Sequence, residues 1–141
     1  MSEPDRRLFF LLQRSAHLLR TTLDRRCLAA AGVTTAQLGA LFAVQEQPGI
    51  TQQELARVLG LRESGVTALV GRLTTAGLLL KQTHPREHRA VVLELTEAGV
   101  AALRAAQPEV DRFNAQVREL LGDDGFVSTA GALHRLAYWE P

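Results

Sequence analysis

The chain has 141 residues, 46% of them apolar, which is enough to bury the core of a single domain spanning residues 1–141. It has one cysteine, a polar segment after Met1 and no apolar stretch of membrane-spanning length, which excludes a disulfide framework and predicts a soluble cytoplasmic protein. The formal net charge is only +1, yet residues 57–89 contain six basic and two acidic side chains, so one end of the molecule is expected to be basic.

The first part of the chain is predicted to be helical. Apolar residues keep helical spacing over residues 5–31, and Gly32 is a plausible stop signal. The sequence Thr34-Thr35-Ala36-Gln37 fits a capping box, which predicts a second helix running to about Glu46. The leading segment, residues 8–12, is apolar around most of its circumference, and this excess suggests a partner subunit.

Two short helices and a hairpin are predicted next. A second capping box, Thr51 to Glu54, starts a helix that ends at Gly60. Residues 62–76 form the fourth helix, because they carry one apolar stripe at helical spacing. Alternating residues 78–83 and 90–95, around a polar loop, then predict a β-hairpin.

The end of the chain is predicted to form two helices. Thr96 is a good cap for a helix running to about Leu121 with a kink at Pro108, and residues 122–125 turn the chain into a last helix over residues 126–139. The fold class is therefore mainly α with a small β-hairpin (α+β).

Residues 51–89 contain the pattern on which the function depends. Ala56 and Gly60 lie four apart, and Val66 and Leu69 follow at offsets that pack two short helices across a tight turn. Those positions match a helix-turn-helix, although many helical hairpins use the same spacing without touching DNA. The outward face of the fourth helix is small and polar, which favours insertion into a major groove, whereas a merely solvated face would carry Glu and Lys. Its residues are Ser64, Ala68, Gly71 and Thr75, with Thr67 and Arg72 at its flanks.

The polar loop over residues 84–89 is basic. Its guanidinium groups, Arg86 and Arg89, suit the narrow minor groove, although basic hairpin tips are often only solvated turns. Pro85 between His84 and His88 argues against a metal pair, so no metal site is expected.

The chain resembles the MarR family of winged helix-turn-helix regulators over nearly its whole length. The resemblance is carried by the runs Thr51-Gln52-Gln53-Glu54-Leu55-Ala56, Ser64 to Leu73, Gly77-Leu78 and Leu95-Thr96-Glu97-Ala98-Gly99. It implies a winged helix-turn-helix at about residues 34–95, flanked by long dimerisation helices at about residues 5–31 and 97–139. Two departures are the His84 that replaces the usual Asp at the start of the wing and the Arg62 that replaces a Ser or Thr helix cap.

The resemblance also implies roles for individual residues. Ser64, Gly65, Thr67 and Ala68 would meet the major groove, Arg72 a phosphate, and Arg89 the minor groove, with Glu87 orienting Arg89 through a salt bridge. We add Arg62 and Arg86 to these DNA-binding residues. Arg62 is expected to contact a phosphate in place of capping the helix, and Arg86 lies in the basic loop. The predicted dimer interface comprises Leu8, Phe9, Leu12, Phe126, Leu133, Leu136 and Trp139.

The expected function is that of a sequence-specific transcriptional regulator. We expect a homodimeric repressor that binds an inverted-repeat operator in double-stranded DNA, is released by an unknown small-molecule effector, and has no membrane partner, cofactor or enzymatic activity. His17 and Arg20 are candidates for the effector pocket, although a lone helical His is more often structural. Cys27 is either a redox switch or, more simply, a packed cysteine. The rival classes are an enzyme and a winged helix that binds protein.

Overall fold

A computed structural model describes residues 7–84, 86, 87 and 90–141. Five helices and three strands follow one another in the order α1 (Leu8–Ala31), α2 (Thr35–Glu46), β1 (Ile50–Thr51), α3 (Gln52–Leu59), α4 (Glu63–Thr75), β2 (Leu79–Thr83), β3 (Val91–Leu95) and α5 (Glu97–Ala137). The predicted mainly helical α+β class is confirmed. Among the described residues, no single helix combines the length and apolarity needed to cross a membrane; α1 and α2 meet that requirement only together, across a 68° bend.

Both predicted capping boxes are present and set the starts of α2 and α3. The Thr34 hydroxyl accepts from the Gln37 amide while the Gln37 side chain accepts from the Thr34 amide, and Thr51 and Glu54 repeat the arrangement. Because each box satisfies two amides that a helix leaves without partners, these starting points are set by local sequence. The α1 helix ends as predicted, at Gly32 with φ +70°.

The sheet contains one strand more than the predicted hairpin. Its order is β1-β3-β2, all antiparallel, with Ile50 paired to Leu93 and Thr51 to Val92. The Gly49 amide donates to the Leu93 carbonyl at 3.1 Å, and Ile50 is fully buried. The two-residue strand β1 therefore ties the start of α3 to the hairpin.

The core lies between α2, α3, α4 and the sheet. Its largest fully buried side chains belong to different elements: Leu41 of α2, Ile50 of β1, Leu55 of α3, Leu73 of α4, Leu79 of β2 and Leu93 of β3. Val66, Leu69, Val70 and Leu73, the stripe predicted from helical spacing, are the buried residues of α4. By contrast, Cys27 is the only buried residue of α1.

The predicted break between two C-terminal helices is confirmed. Within α5 (Glu97–Ala137) two helices meet at a kink at Gly122, whose φ of +76° and ψ of 164° are not helical, so the turn predicted over residues 122–125 takes one residue. Pro108 lies within the first of these helices among residues that keep helical angles, and a bend of the helix axis there stays a prediction. Pro108 and Arg104 are both exposed, so water can hydrogen-bond to the carbonyl that the missing proline N–H leaves without a partner.

The start of α5 is fastened to the chain that leaves α4. The Thr96 hydroxyl donates to the Gly77 carbonyl at 2.6 Å and accepts from the Gly99 amide at 3.0 Å, while the Thr96 amide donates to the Leu78 carbonyl at 3.2 Å. A Cβ at Gly99 would overlap the Leu78 carbonyl oxygen. Gly99 therefore lets the first turn of α5 lie against the backbone of Leu78, at a distance that no larger residue allows.

Candidate nucleic-acid interface

The helices α3 and α4 pack as the spacing of small residues predicted. Ala56 is buried, and Gly60 ends α3 with φ +65°, a backbone conformation that favours glycine. The Leu61 amide donates to the Ala56 carbonyl at 3.0 Å, and Val66 and Leu69 are buried against the core. The pair forms a helix-turn-helix in which α4 presents its other face to solvent.

The exposed face of α4 carries the residues predicted to meet DNA. Ser64, Gly65, Thr67, Ala68 and Arg72 are all exposed, as is Arg62 immediately before the helix. Small side chains on this face would let the helix axis come close to the floor of a major groove. The structure therefore brings these six residues together on one surface.

The N-terminus of α4 has no side-chain cap. Arg62 occupies the cap position with φ −73° and ψ 154° and makes no capping hydrogen bond, in agreement with the replacement of the usual Ser or Thr. Amides in a first helical turn lack intrahelical acceptors and carry the positive end of the helix dipole. Together with the Arg62 guanidinium, they form an end of the helix suited to a phosphate.

Thr67 is held by two hydrogen bonds that the sequence did not suggest. Its hydroxyl donates to the Glu63 carbonyl and accepts from the Gln52 side-chain amide, both at 2.8 Å. Gln52 and Thr67 are fifteen residues apart, so only the packing of α3 on α4 brings them together. No signal in the sequence would have identified this pair.

The hairpin between β2 and β3 closes the candidate wing. The His84 amide donates to the Ala90 carbonyl at 2.9 Å, and Arg86 and Glu87 are exposed. His88 and Arg89 lie outside the described residues, so the minor-groove contact of Arg89 and its salt bridge with Glu87 stay predictions. Glu87 does line a groove with Gln52, Glu63 and Thr67, which places the wing beside the helix-turn-helix.

His84 has a structural role within the wing. Its Nδ1 accepts from the backbone amides of Arg86 and Glu87, at 3.1 and 3.0 Å. An aspartate side chain makes the same type of bond to amides two residues ahead in a turn. His84 thus replaces the expected Asp in function, and its position at the start of the loop is the signal that would have identified it.

The candidate effector residues are separated. His17 lines a shallow groove on α1 with Phe10, Gln13, Arg14 and Leu18, whereas Arg20 is exposed and not part of this lining. The groove combines Arg14 and His17 with apolar walls, a surface suited to an organic anion that has an apolar body. The groove residue that sequence reasoning missed is Arg14.

Cys27 is packed in the molecule. Its side chain is fully buried, and burial together with the nearby carboxylates of Asp24 and Glu109 raises the pKa of the thiol. Asp24 itself accepts from the Thr35 amide at 2.7 Å, so it joins α1 to the start of α2. A buried thiol of raised pKa is a poor nucleophile, which favours the packed cysteine over the redox switch.

The residues predicted to form a dimer interface lie at the two ends of the chain and are unevenly exposed. Leu12 and Phe126 are half-buried, and Arg118 lies 4.4 Å over the Phe126 ring. The other five are exposed, from 43% for Leu136 to 74% for Phe9, the remaining three being Leu8, Leu133 and Trp139. The same ends also expose Phe10, Leu120, Val127 and Tyr138.

Comparison with known proteins identifies the family. A family model described as the MarR family matches residues 31–90. The chain is 32% identical over 134 residues to the transcriptional activatory protein BadR of Rhodopseudomonas palustris, which covers 92% of this chain and 74% of BadR. It is 30% identical over 105 residues to a protein named as a transcriptional regulator for the hcr operon of Thauera aromatica, covering 74% of this chain but only 63% of that protein.

Solved structures agree with this result. The transcriptional repressor CouR bound to a 23-mer DNA duplex superposes with a TM-score of 0.86 at 28% identity, over 96% of this chain and 99% of CouR. CouR bound to p-coumaroyl-CoA gives a TM-score of 0.85 at 28% identity, over 94% and 93% of the two chains. The chain therefore belongs to the MarR family and is a DNA-binding transcriptional regulator with a winged helix.

Proposed function

We propose that this protein is a homodimeric repressor that binds an inverted-repeat operator through α4 and is released by a small-molecule effector. The observation that carries the proposal is the exposed face of α4, small and polar along its length and without a side-chain cap at its N-terminus. The likeness to CouR, a repressor solved bound to a DNA duplex, also supports DNA binding.

The residues proposed to touch DNA divide into two groups. Ser64, Gly65, Thr67 and Ala68 would face the floor of the major groove and read base edges. Arg62, Arg72, Arg86 and Arg89 would contact the DNA backbone or the minor groove, with Arg89 oriented by Glu87. The first group should determine which sequence is bound, and the second how strongly binding falls with salt.

A second copy of this chain is the proposed occupant of the apolar ends. Single exposed apolar residues are normal on a monomer, but a cluster of Leu, Phe and Trp at both ends of one chain marks an interaction surface. A two-fold dimer presents two α4 helices related by symmetry. Its operator should therefore be an inverted repeat with half-sites about one helical turn apart.

The proposed effector is an organic anion with an apolar body, and a coenzyme A thioester such as p-coumaroyl-CoA is the first to test. CouR has been solved with that compound, and the α1 groove of this chain places Arg14 and His17 beside Phe10 and Leu18. Arg20, the other predicted effector residue, does not line this groove, so it would contact only a part of the ligand that extends beyond the groove. Regulation requires that the effector bind the free and the DNA-bound dimer with different affinities.

The decisive experiment selects duplexes bound by the protein from a random pool and then titrates the selected sequence. We expect an inverted repeat, salt-sensitive binding, and release by p-coumaroyl-CoA but not by coenzyme A alone. Equal affinity for a single half-site would reject the dimeric operator. Binding without any sequence preference would reject the regulator, and failure of p-coumaroyl-CoA to release the DNA would reject this effector class.

A further inference from the structure

A chain of two hydrogen bonds connects the start of α3 to the DNA-facing side of α4. The Gln52 Nε2 donates to Thr67 Oγ1, and Thr67 Oγ1 donates to the Glu63 carbonyl oxygen, each over 2.8 Å. Gln52 is the first residue of α3 and half-buried, whereas Thr67 is exposed. The contact therefore joins the half-buried side chain of Gln52 to the exposed side chain of Thr67.

The two bonds determine which hydrogen-bonding groups Thr67 retains. A hydroxyl has one proton and two lone pairs. The proton is used by the Glu63 carbonyl and one lone pair by Gln52, so the side chain keeps one lone pair and its methyl group. Thr67 can then accept from a partner but has no proton to donate.

Gln52 also selects one side-chain orientation. A helical Thr divides between two χ1 rotamers, one of which lets the hydroxyl bond to the carbonyl one turn earlier. The bond from Gln52 adds to that rotamer and stabilises it against the other. The start of α3, which supplies Gln52, is itself fixed by the capping box of Thr51 and Glu54.

We propose that Gln52 is a positioning residue for base recognition: it holds Thr67 so that the hydroxyl oxygen meets an exocyclic amino group of adenine or cytosine in the major groove. The inference rests on the proposed function, since it requires α4 to read base edges. Amino groups of these bases are the hydrogen-bond donors that the major groove offers to such an acceptor. Gln52 would thereby influence specificity without being part of the α4 helix.

The test compares base preference in the native protein and four variants. Gln52→Met keeps the length of the side chain but has no donor, and Thr67→Val keeps the shape of threonine but has no hydroxyl. Gln53→Met is the matched control, because Gln53 is the exposed neighbour on the same turn of α3. Each full-length protein, together with the Gln52→Met/Thr67→Val double variant, is used to select duplexes from one random pool and is titrated with the consensus and with a scrambled duplex.

We expect Gln52→Met and Thr67→Val to weaken the preference at the same base pair of each half-site by roughly tenfold. Affinity for the scrambled duplex should stay within about twofold of the native protein, as for a surface substitution. The double variant should lose no more than Thr67→Val alone, since the two residues act through one contact. Gln53→Met should give the native consensus.

Three results would overturn the proposal: a native preference at that base pair in Gln52→Met, a change at a different base pair, or losses that multiply in the double variant. A native protein that selects no consensus would reject the proposed function itself, and with it this role of Gln52. Thermal unfolding of each variant shows that the measured protein is folded, and Gln52→Ala repeats the test if Gln52→Met unfolds.

Discussion

The winged helix-turn-helix and the ends of the chain differ in how they use apolar residues. In the region from α2 to β3, large side chains such as Leu41, Leu73 and Leu93 are fully buried within one chain. At the ends, Phe9, Leu120 and Trp139 are exposed by 74%, 83% and 67%. The first region is stabilised by its own core, whereas the second is the surface that we propose a second copy of the chain covers.

The largest expected effect is loss of the dimer. Leu133→Asp with Leu136→Asp places two charges on an exposed part of α5 that contributes no residue to the core. Because charge is strongly disfavoured in an apolar interface, the variant should sediment as a monomer and lose its affinity for the full operator. A variant that stays dimeric at micromolar concentration would place the interface elsewhere.

Next in size is removal of a core side chain. Leu73→Ala should lower the free energy of unfolding by about 2–5 kcal/mol, because Leu73 is fully buried and its loss leaves a cavity. The control Leu80→Ala removes the same atoms from a side chain that is 51% exposed, and it should change stability far less. Similar losses in chemical denaturation would contradict the comparison between core and surface.

A third test concerns the joint between the two regions, where the first turn of α5 packs against the backbone of Leu78. Gly99→Ala should destabilise the protein by about 1–3 kcal/mol, since the added methyl overlaps the Leu78 carbonyl. Gly71→Ala is the matched control within a helix, because a Cβ there meets nothing within 4 Å, and it should stabilise by about 0.5–1 kcal/mol. Thermal unfolding of both variants measures the difference, and equal midpoints would argue against a tight joint.

The smallest expected effect concerns Cys27. Because the pKa of its thiol is raised in the folded protein, the unfolded chain loses this proton first as the pH rises above about 8.5, and stability should fall there. Cys27→Ala should remove the part of this fall in the free energy of unfolding that comes from the thiol. In the native protein at neutral pH, iodoacetamide should modify the thiol only after unfolding. Rapid modification of the folded protein, with loss of DNA binding, would instead favour the interpretation of Cys27 as a redox switch.

Local patterns explain how much of the fold was predictable. The capping boxes at Thr34 and Thr51, the apolar stripe of α4 and the alternation of the hairpin all act within a few residues, and each was predicted close to its observed bounds. The strand β1 was missed because two residues show no alternation and acquire a partner only when β3 lies beside them. The C-terminal break was predicted at its observed place, although its length was overestimated, because the single residue Gly122 is enough to break the helical angles.

The sequence predicted which side chains of the candidate site are exposed, but not the hydrogen bonds that hold them. Exposure of Ser64, Thr67 and Arg72 follows from the helical period once the buried stripe is known. The Gln52 contact to Thr67 depends on how two helices cross, and the capping role of His84 depends on the path of the loop. The first interaction is tertiary, so no linear pattern indicated it, whereas the only signal for the second was the position of His84 at the start of the loop.

The hydrogen bonds from Thr96 to Gly77 and Leu78 connect the start of α5 to the end of α4. Glu97–Leu121, the part of α5 before Gly122, is about 37 Å long at 1.5 Å per residue. Its start is bonded to the residues that follow α4, so a tilt of a few degrees about that start would displace its far end by a few ångströms. With a rigid joint, α4 would turn by the same angle. The angle of α5 would thus set the distance between the two helices that a dimer presents to its operator.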